Sequence, residues 1–177
     1  MLDLLLLNAI EKTYFISEEK QELFLSLKKN KKLSHENFLK KIKGREILGK
    51  EAELAILDFE KERLAQHPKL VEKIEHIAIS DVGAGYDIKS YTIDGLGSES
   101  AVLRHIEVKA VSPFDYKFFW TANELANAKI FQETYYLYLL PVFETGMFDL
   151  GGLEVIKNPY FNIYKNQDWD STIELIS

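Results

Sequence analysis

The chain has 177 residues, 46% of them hydrophobic, which suits one packed domain with a small addition. It contains no cysteine, which excludes disulfides, thiolate zinc sites and cysteine nucleophiles and fits a reducing cytoplasm. The net charge of −6 is uneven. Residues 1–50 carry 11 Lys or Arg and 7 Asp or Glu, net +4, whereas residues 51–177 carry 11 and 21, net −10.

The first 43 residues are predicted to form a small helical appendage. Residues 2–15 carry apolar side chains at close to helical spacing, a second helix is expected after Ser17, and a third ends near Gly44. The apolar run at residues 2–7 is too short to span a bilayer and lacks the basic start of a signal peptide. We therefore expect a cytoplasmic protein that does not act at a membrane.

Residues 44–177 are predicted to form an α/β domain. A long helix is expected over residues 47–65. From Val71 the apolar period changes to two, which predicts a strand that ends before the glycines at 83 and 85. Strands over residues 86–93 and 101–111, joined by a glycine-containing loop, are typical of a hairpin.

The second half of this domain is predicted to contribute a helix and two further strands. Thr121 and Glu124 have the spacing of a capping box, which predicts a helix over residues 122–131. Residues 134–143 are almost wholly apolar and read as a buried central strand, and residues 153–157 as a short last strand. The tail after Pro159 is left unassigned. The order of elements predicts a mixed sheet flanked by helices.

Two of the predicted strands carry acids and a lysine. Glu107 and Lys109 alternate with apolar residues, so they share one face of an extended strand. If Asp87 lies on the neighbouring strand, two carboxylates and a lysine converge, and such a set can hold a divalent metal ion and a water against a phosphodiester. Two simpler alternatives exist: turn chemistry explains an Asp beside glycines, and a same-face ion pair explains Glu107 and Lys109.

Several stretches occur in an order that resembles the nuclease-like domain at the C-terminus of the plant protein NO VEIN and in many bacterial proteins. They are Ala52-Glu53-Leu54 leading to Phe59-Glu60, Gly83-Ala84-Gly85-Tyr86-Asp87-Ile88, Ile106-Glu107-Val108-Lys109, Phe118-Phe119-Trp120-Thr121-Ala122-Asn123-Glu124 and Tyr135-Tyr136-Leu137-Tyr138. The resemblance covers about residues 49–159 and leaves residues 1–43 unexplained. It implies the restriction-endonuclease-like PD-(D/E)xK fold.

The resemblance also implies a metal-dependent site with Mg²⁺ or Mn²⁺ as cofactor. Asp87 and Glu107 would supply the oxygen ligands that Mg²⁺ prefers, and the carbonyl of Val108 could add a third. Lys109 would stabilise charge on the reacting phosphate, because neighbouring carboxylates favour its charged form. Glu53 on the preceding helix would hold a metal-bound water or a second ion, in preference to the acid seven residues later.

Two functions from different classes follow from these observations. The first is a metal-dependent nuclease, with DNA as the expected substrate, in defence, restriction or repair. The second is a catalytically inactive nuclease-fold subunit that binds or assembles within a larger complex. The intact set of Asp87, Glu107 and Lys109 favours the first, and the acidic body favours the second. A third alternative keeps the nuclease fold and changes the substrate to RNA.

The appendage at residues 1–43 is expected to dock a partner subunit or a second copy of the chain. An apolar stripe favours a protein contact, whereas a cluster of lysines favours phosphates. The stripe consists of Leu4, Leu7 and Ile10, and the cluster of Lys28, Lys29, Lys31 and Lys32.

Overall fold

The structure is a computed structural model that describes residues 8–13, 35–93, 101–114, 116–143, 145–166 and 170–175. The described helices are α1 (His35–Arg63), α2 (Pro68–Val71), α3 (Ile77–Ser80) and α4 (Ala122–Phe131). The described strands are β1 (Asn8–Thr13), β2 (Glu75–His76), β3 (Ile88–Ile93), β4 (Ala101–Val111), β5 (Phe118–Trp120), β6 (Tyr135–Pro141), β7 (Glu154–Lys157) and β8 (Asp170–Leu175). The unassigned tail contains β8 and a π-helical turn at Tyr160–Tyr164.

The main sheet has five strands in the order β2-β3-β4-β6-β7. β3 and β4 are antiparallel, as expected of the predicted hairpin, and Ile88 lies opposite Ile106. β4 and β6 are parallel, with Glu107 opposite Leu137, and α4 lies in the connection between them. This mixed sheet with flanking helices confirms the predicted fold class.

Two apolar layers on the two faces of the sheet explain why β6 is buried along its whole length. Because side chains alternate along a strand, Tyr136 and Tyr138 join one layer while Leu137 and Leu139 join the other. The first layer includes Ala52 and Ile56 of α1 and the second includes Ala128 of α4. Burial on both faces requires a continuous apolar run, which is the pattern seen at residues 135–141.

The N-terminal helix predicted over residues 2–15 is wrong for residues 8–13. These residues form β1, which pairs antiparallel with both β5 and β8 in a separate three-stranded sheet. Inter-strand hydrogen bonds from distant segments here outweigh a local apolar spacing close to helical. Residues 1–7 and 14–34, including the lysine cluster and the second predicted helix, lie outside the described residues.

The helix end predicted near Gly44 is also wrong, because α1 continues through it and through Gly49. A glycine inside a helix costs only about 1 kcal/mol relative to alanine, which a helix of this length tolerates. The predicted boundary between residues 43 and 44 therefore falls inside one helix, and the division into two units stays a prediction.

The strand predicted from Val71 onward is reduced to the two residues of β2. α2 and α3 occupy the flanking residues, since Pro68 begins α2 and apolar spacings of three suit a helical turn better than a strand. No helix among the described residues combines the length and the apolar character needed to cross a membrane.

Candidate metal centre

Asp87, Glu107 and Lys109 line one open cleft of about 1070 Å³, together with Glu53 and Glu124. They come from four elements: α1, the residue preceding β3, β4 and α4. The structure thus brings together all four side chains that the sequence singled out as catalytic. It adds Glu124, which the capping-box pattern had accounted for without a site.

Asp87 is held by backbone hydrogen bonds on both sides. Its N–H donates to the carbonyl of Ile106 at 2.8 Å, and its own carbonyl accepts from the N–H of Ile77 at 2.7 Å. Its side-chain Oδ2 accepts from the N–H of Val108 at 2.8 Å, which ties the carboxylate directly to β4. Val108 therefore touches Asp87 through its amide, and a ligand role for its carbonyl stays a prediction.

A glycine turn leads the chain into Asp87. Gly85 has φ +73°, and a Cβ built there would lie 2.2 Å from Nδ2 of Asn127, so both the backbone conformation and the space demand glycine. The hydroxyl of Tyr135 donates to the carbonyl of Gly85 at 2.8 Å, and Nδ2 of Asn123 donates to the carbonyl of Gly83 at 3.0 Å. β6 and α4 therefore fix the turn that places Asp87.

Lys109 is clamped between two carboxylates. Its Nζ lies 2.7 Å from Oε1 of Glu107 and 2.7 Å from Oε2 of Glu124. Burial works to lower the pKa of Lys109, but the charges of both glutamates and the hydrogen bonds to them outweigh burial and raise it. Lys109 therefore keeps its positive charge, as expected of a group that stabilises charge rather than of a base.

Asp87 and Glu107 hold their protons more tightly than ordinary carboxyl groups. Burial raises the pKa of Asp87 to about 7; the Val108 N–H opposes this, and the charge of Glu53 adds to it. Burial also raises the pKa of Glu107, which the Lys109 charge opposes and the Asp87 and Glu124 charges reinforce. The two strand carboxylates thus repel each other in a confined site.

Glu53 is anchored by a histidine outside the predicted site. Its Oε2 lies 2.6 Å from Nε2 of His76, and the two side chains are 20% and 7% exposed. Glu53 also interacts electrostatically with the site carboxylates, because its charge helps to raise the pKa of Asp87. No local pattern around residue 76 marked this contact.

The donor set fits a hard divalent cation. Four carboxylates line the cleft that holds Lys109. The charge of Glu53 helps to raise the pKa of Asp87, and the charge of Asp87 helps to raise the pKa of Glu107, so a cation between them would relieve the repulsion. Carboxylate oxygens are the ligands that Mg²⁺ and Mn²⁺ accept. Among the described side chains, no group of three or more His, Cys, Asp or Glu is already arranged around a single ion position.

The second acid on the buried side of α1 belongs to a different network. Glu60 is fully buried and accepts hydrogen bonds from Arg63, Ser90 at 2.6 Å and the Tyr138 hydroxyl at 2.8 Å. Burial alone would raise the pKa of Glu60, but these hydrogen bonds and the charges of Arg63 and Arg104 lower it. Glu60 therefore joins α1 to the sheet, and the ranking of Glu53 above it stays a prediction.

Three further residues close in the sequence to the site residues are packed rather than placed in the cleft. His105 stacks on Phe131 with ring centroids 4.0 Å apart, and its Nδ1 lies 3.2 Å from the hydroxyl of Thr134. Trp120 is fully buried, and Tyr86 packs against the same apolar layer. These contacts account for all three residues structurally.

Basic and aromatic side chains also line the cleft, together with the exposed acid Glu46. Arg45 and Lys117 line it, as do Phe114 and Phe119, which are 63% and 42% exposed. The cleft therefore combines the buried acids of the site with basic and aromatic side chains that are more exposed.

The two comparisons with individual proteins gave no relative: neither a curated protein nor a solved structure matches the chain significantly. A family model does match. The model of the family described as Protein NO VEIN, C-terminal, matches residues 52–148, more than half of the chain. That span contains Glu53, the glycine turn with Asp87, the Glu107–Lys109 strand and the capping box at Glu124. The chain belongs to the Protein NO VEIN C-terminal family.

Proposed function

We propose that this protein is a metal-dependent nuclease that hydrolyses phosphodiester bonds. The observation that carries the proposal is the convergence of Asp87, Glu107 and Glu53 with a cationic Lys109 in one cleft. A bound Mg²⁺ or Mn²⁺ would supply a Lewis acid that neutralises phosphate charge and lowers the pKa of a water molecule.

Each side chain has a distinct role in this proposal. Asp87 and Glu107 bind the cation, and Glu53 orients a water or a second ion. Lys109 stabilises negative charge on the phosphate, and Glu124 holds its ammonium in place at 2.7 Å. Because the lysine is already fixed, little reorganisation is needed as charge develops.

DNA is the proposed substrate, and defence, restriction or repair the proposed setting. Arg45 and Lys117 on the cleft wall are suited to contact phosphates beside the acidic base of the site. A cytoplasmic location is part of the proposal and rests on the sequence, since a chain without cysteine fits a reducing compartment.

A cleavage assay tests the proposal. The purified chain is incubated with Mn²⁺ or Mg²⁺ and labelled duplex DNA, single-stranded DNA and RNA. Lys109→Ala is expected to lower the cleavage rate by roughly 10²–10³, because one positioned charge is lost from the transition state. Lys89→Ala is the matched control, because Lys89 pairs with the exposed Glu75 on the neighbouring strands and should leave the rate unchanged.

The second candidate is an inactive nuclease-fold subunit that binds or assembles. The absence of a preformed three-ligand group among the described side chains favours it. Under this alternative no wild-type cleavage of any substrate occurs with either ion, and Lys109→Ala leaves nucleic-acid binding unchanged.

The proposed partners are nucleic acid at the cleft and a second copy or partner subunit at residues 1–43. The salt dependence of binding distinguishes a nucleic-acid contact from a protein contact for the segment at residues 1–43. Phosphate contacts by its lysines would weaken binding with a log–log slope of roughly −0.7 to −0.9 per contact, whereas an apolar protein contact would respond little.

A further inference from the structure

The short segment at residues 76–78 touches two of the acids of the cleft at once. The ring of His76 lies 2.6 Å from Oε2 of Glu53, while the amides of Ile77 and Ala78 donate to the carbonyl of Asp87 at 2.7 and 3.1 Å. One turn of chain therefore connects the acid on α1 with the acid at the start of β3.

The position of His76 is fixed by the main sheet. His76 lies opposite Ile88 in the pairing of β2 with β3, and Ile88 directly follows Asp87. Its side chain is only 7% exposed, so the ring has little freedom to turn. The position of the His76 backbone relative to Asp87 is thus set by strand pairing.

Glu53 is the one polar partner of the ring among the described residues. Nε2 contacts Glu53, and the buried Nδ1 has no hydrogen-bond partner in the described part of the chain. Burying a polar nitrogen without a hydrogen-bond partner destabilises the fold, so an apolar side chain would pack here with less loss. The hydrogen bond between Nε2 and the Glu53 carboxylate therefore explains why a histidine occupies this position.

We propose that His76 is the positioning residue that holds Glu53 at the metal centre. This inference rests on the proposed metal-dependent function. The tautomer that carries its proton on Nε2 donates to Oε2, which restricts the rotation of the Glu53 carboxylate. A carboxylate has further acceptor sites, so Oε1 remains able to face a cation or its water. Outer groups that hold the carboxylates of a metal site in place typically contribute 10–100-fold to metal affinity or activity.

Mn²⁺ affinity, measured by electron paramagnetic resonance and calorimetry on the full chain, tests the inference without any cleavage reaction. His76→Ala is expected to weaken Mn²⁺ binding roughly 10–100-fold. His76→Gln carries an amide N–H near the position of Nε2 and should stay within about 3-fold of the wild type. The asparagine of His76→Asn is too short to reach Glu53, so this variant should lose Mn²⁺ affinity as His76→Ala does. His76→Asn replaces His76→Ala in the test if the alanine variant does not fold.

A double-mutant cycle separates positioning from general stability. In a Glu53→Ala background, His76→Ala should cause no further loss of Mn²⁺ affinity, because the group on which His76 acts is gone. Equal losses in the two backgrounds, or unchanged affinity in His76→Ala, overturn the inference and leave the proposed function standing. A wild-type chain that binds no Mn²⁺ overturns both.

Discussion

Replacing Asp87 by Asn should stabilise the metal-free protein while removing its response to Mn²⁺. Burial raises the pKa of Asp87 from its usual 3.8 to about 7, and the Glu53 charge adds to the rise against the hydrogen bond from Val108. A carboxyl group whose pKa is higher in the folded protein than in the unfolded chain destabilises the fold as the pH rises between the two values. Above pH 7 the effect amounts to about 4 kcal/mol, at 1.36 kcal/mol per pH unit.

Asparagine occupies the same space without the charge, and its carbonyl oxygen can still accept the hydrogen bond from the Val108 N–H. Local relaxation reduces the full electrostatic effect, so we expect Asp87→Asn to gain about 2–4 kcal/mol at pH 8. At 2–4 °C per kcal/mol for a chain of this size, Tm should rise by roughly 4–16 °C. At pH 4 the difference should fall below about 1 kcal/mol, because the wild-type Asp87 is protonated in the folded protein and increasingly so in the unfolded chain.

Calorimetric melts at pH 4, 6 and 8 in EDTA measure this difference, and the same melts in Mn²⁺ measure the ion's effect. Mn²⁺ should raise the wild-type Tm by binding the folded state and leave Asp87→Asn unchanged. Glu133→Gln is the matched control, because Glu133 is an exposed carboxylate paired with Lys157 away from the cleft. An Asp87→Asn protein that melts at or below the wild-type temperature at pH 8 in EDTA would refute this account of the site.

Three further substitutions separate the fold from the site. Glu60→Ala should destabilise the protein by about 3–5 kcal/mol near pH 7, because it leaves Arg63 and Arg104 without their buried partner. Since the pKa of Glu60 is lowered on folding, this loss of stability should shrink in melts below about pH 4.5. The Mn²⁺ affinity of the folded protein should not change. Gly85→Ala should lower the free energy of unfolding by about 1–3 kcal/mol and weaken Mn²⁺ binding, because the positive φ and the nearby Asn127 force the turn before Asp87 to shift. Gly49→Ala, where a Cβ meets nothing within 4 Å, should instead stabilise α1 by up to about 1 kcal/mol. Unfolding midpoints and Mn²⁺ titrations check all three, and a Gly85→Ala protein with wild-type Mn²⁺ affinity would contradict the role assigned to the turn.

Local chemistry made much of the fold predictable. Thr121 accepts from the amide of Glu124, and the Glu124 side chain accepts from the amide of Thr121, which is the capping box that the four-residue pattern indicated. The alternation around Glu107 and the apolar run at residues 135–141 likewise depend on the periodicity of a strand alone. These features need no knowledge of distant residues, so the sequence by itself determined them.

Contacts between distant residues decided the rest. The pairing of β1 with β5 and β8 overrode a helical spacing, because sheet hydrogen bonds join segments more than 100 residues apart in the chain. The same applies at the site: the sequence identified Asp87, Glu107, Lys109 and Glu53, whereas only the packing of α4 against the main sheet placed Glu124 on Lys109 and only the short β2 placed His76 on Glu53. A side chain's neighbours across the fold set its burial, partners and pKa, and these are properties of the tertiary structure.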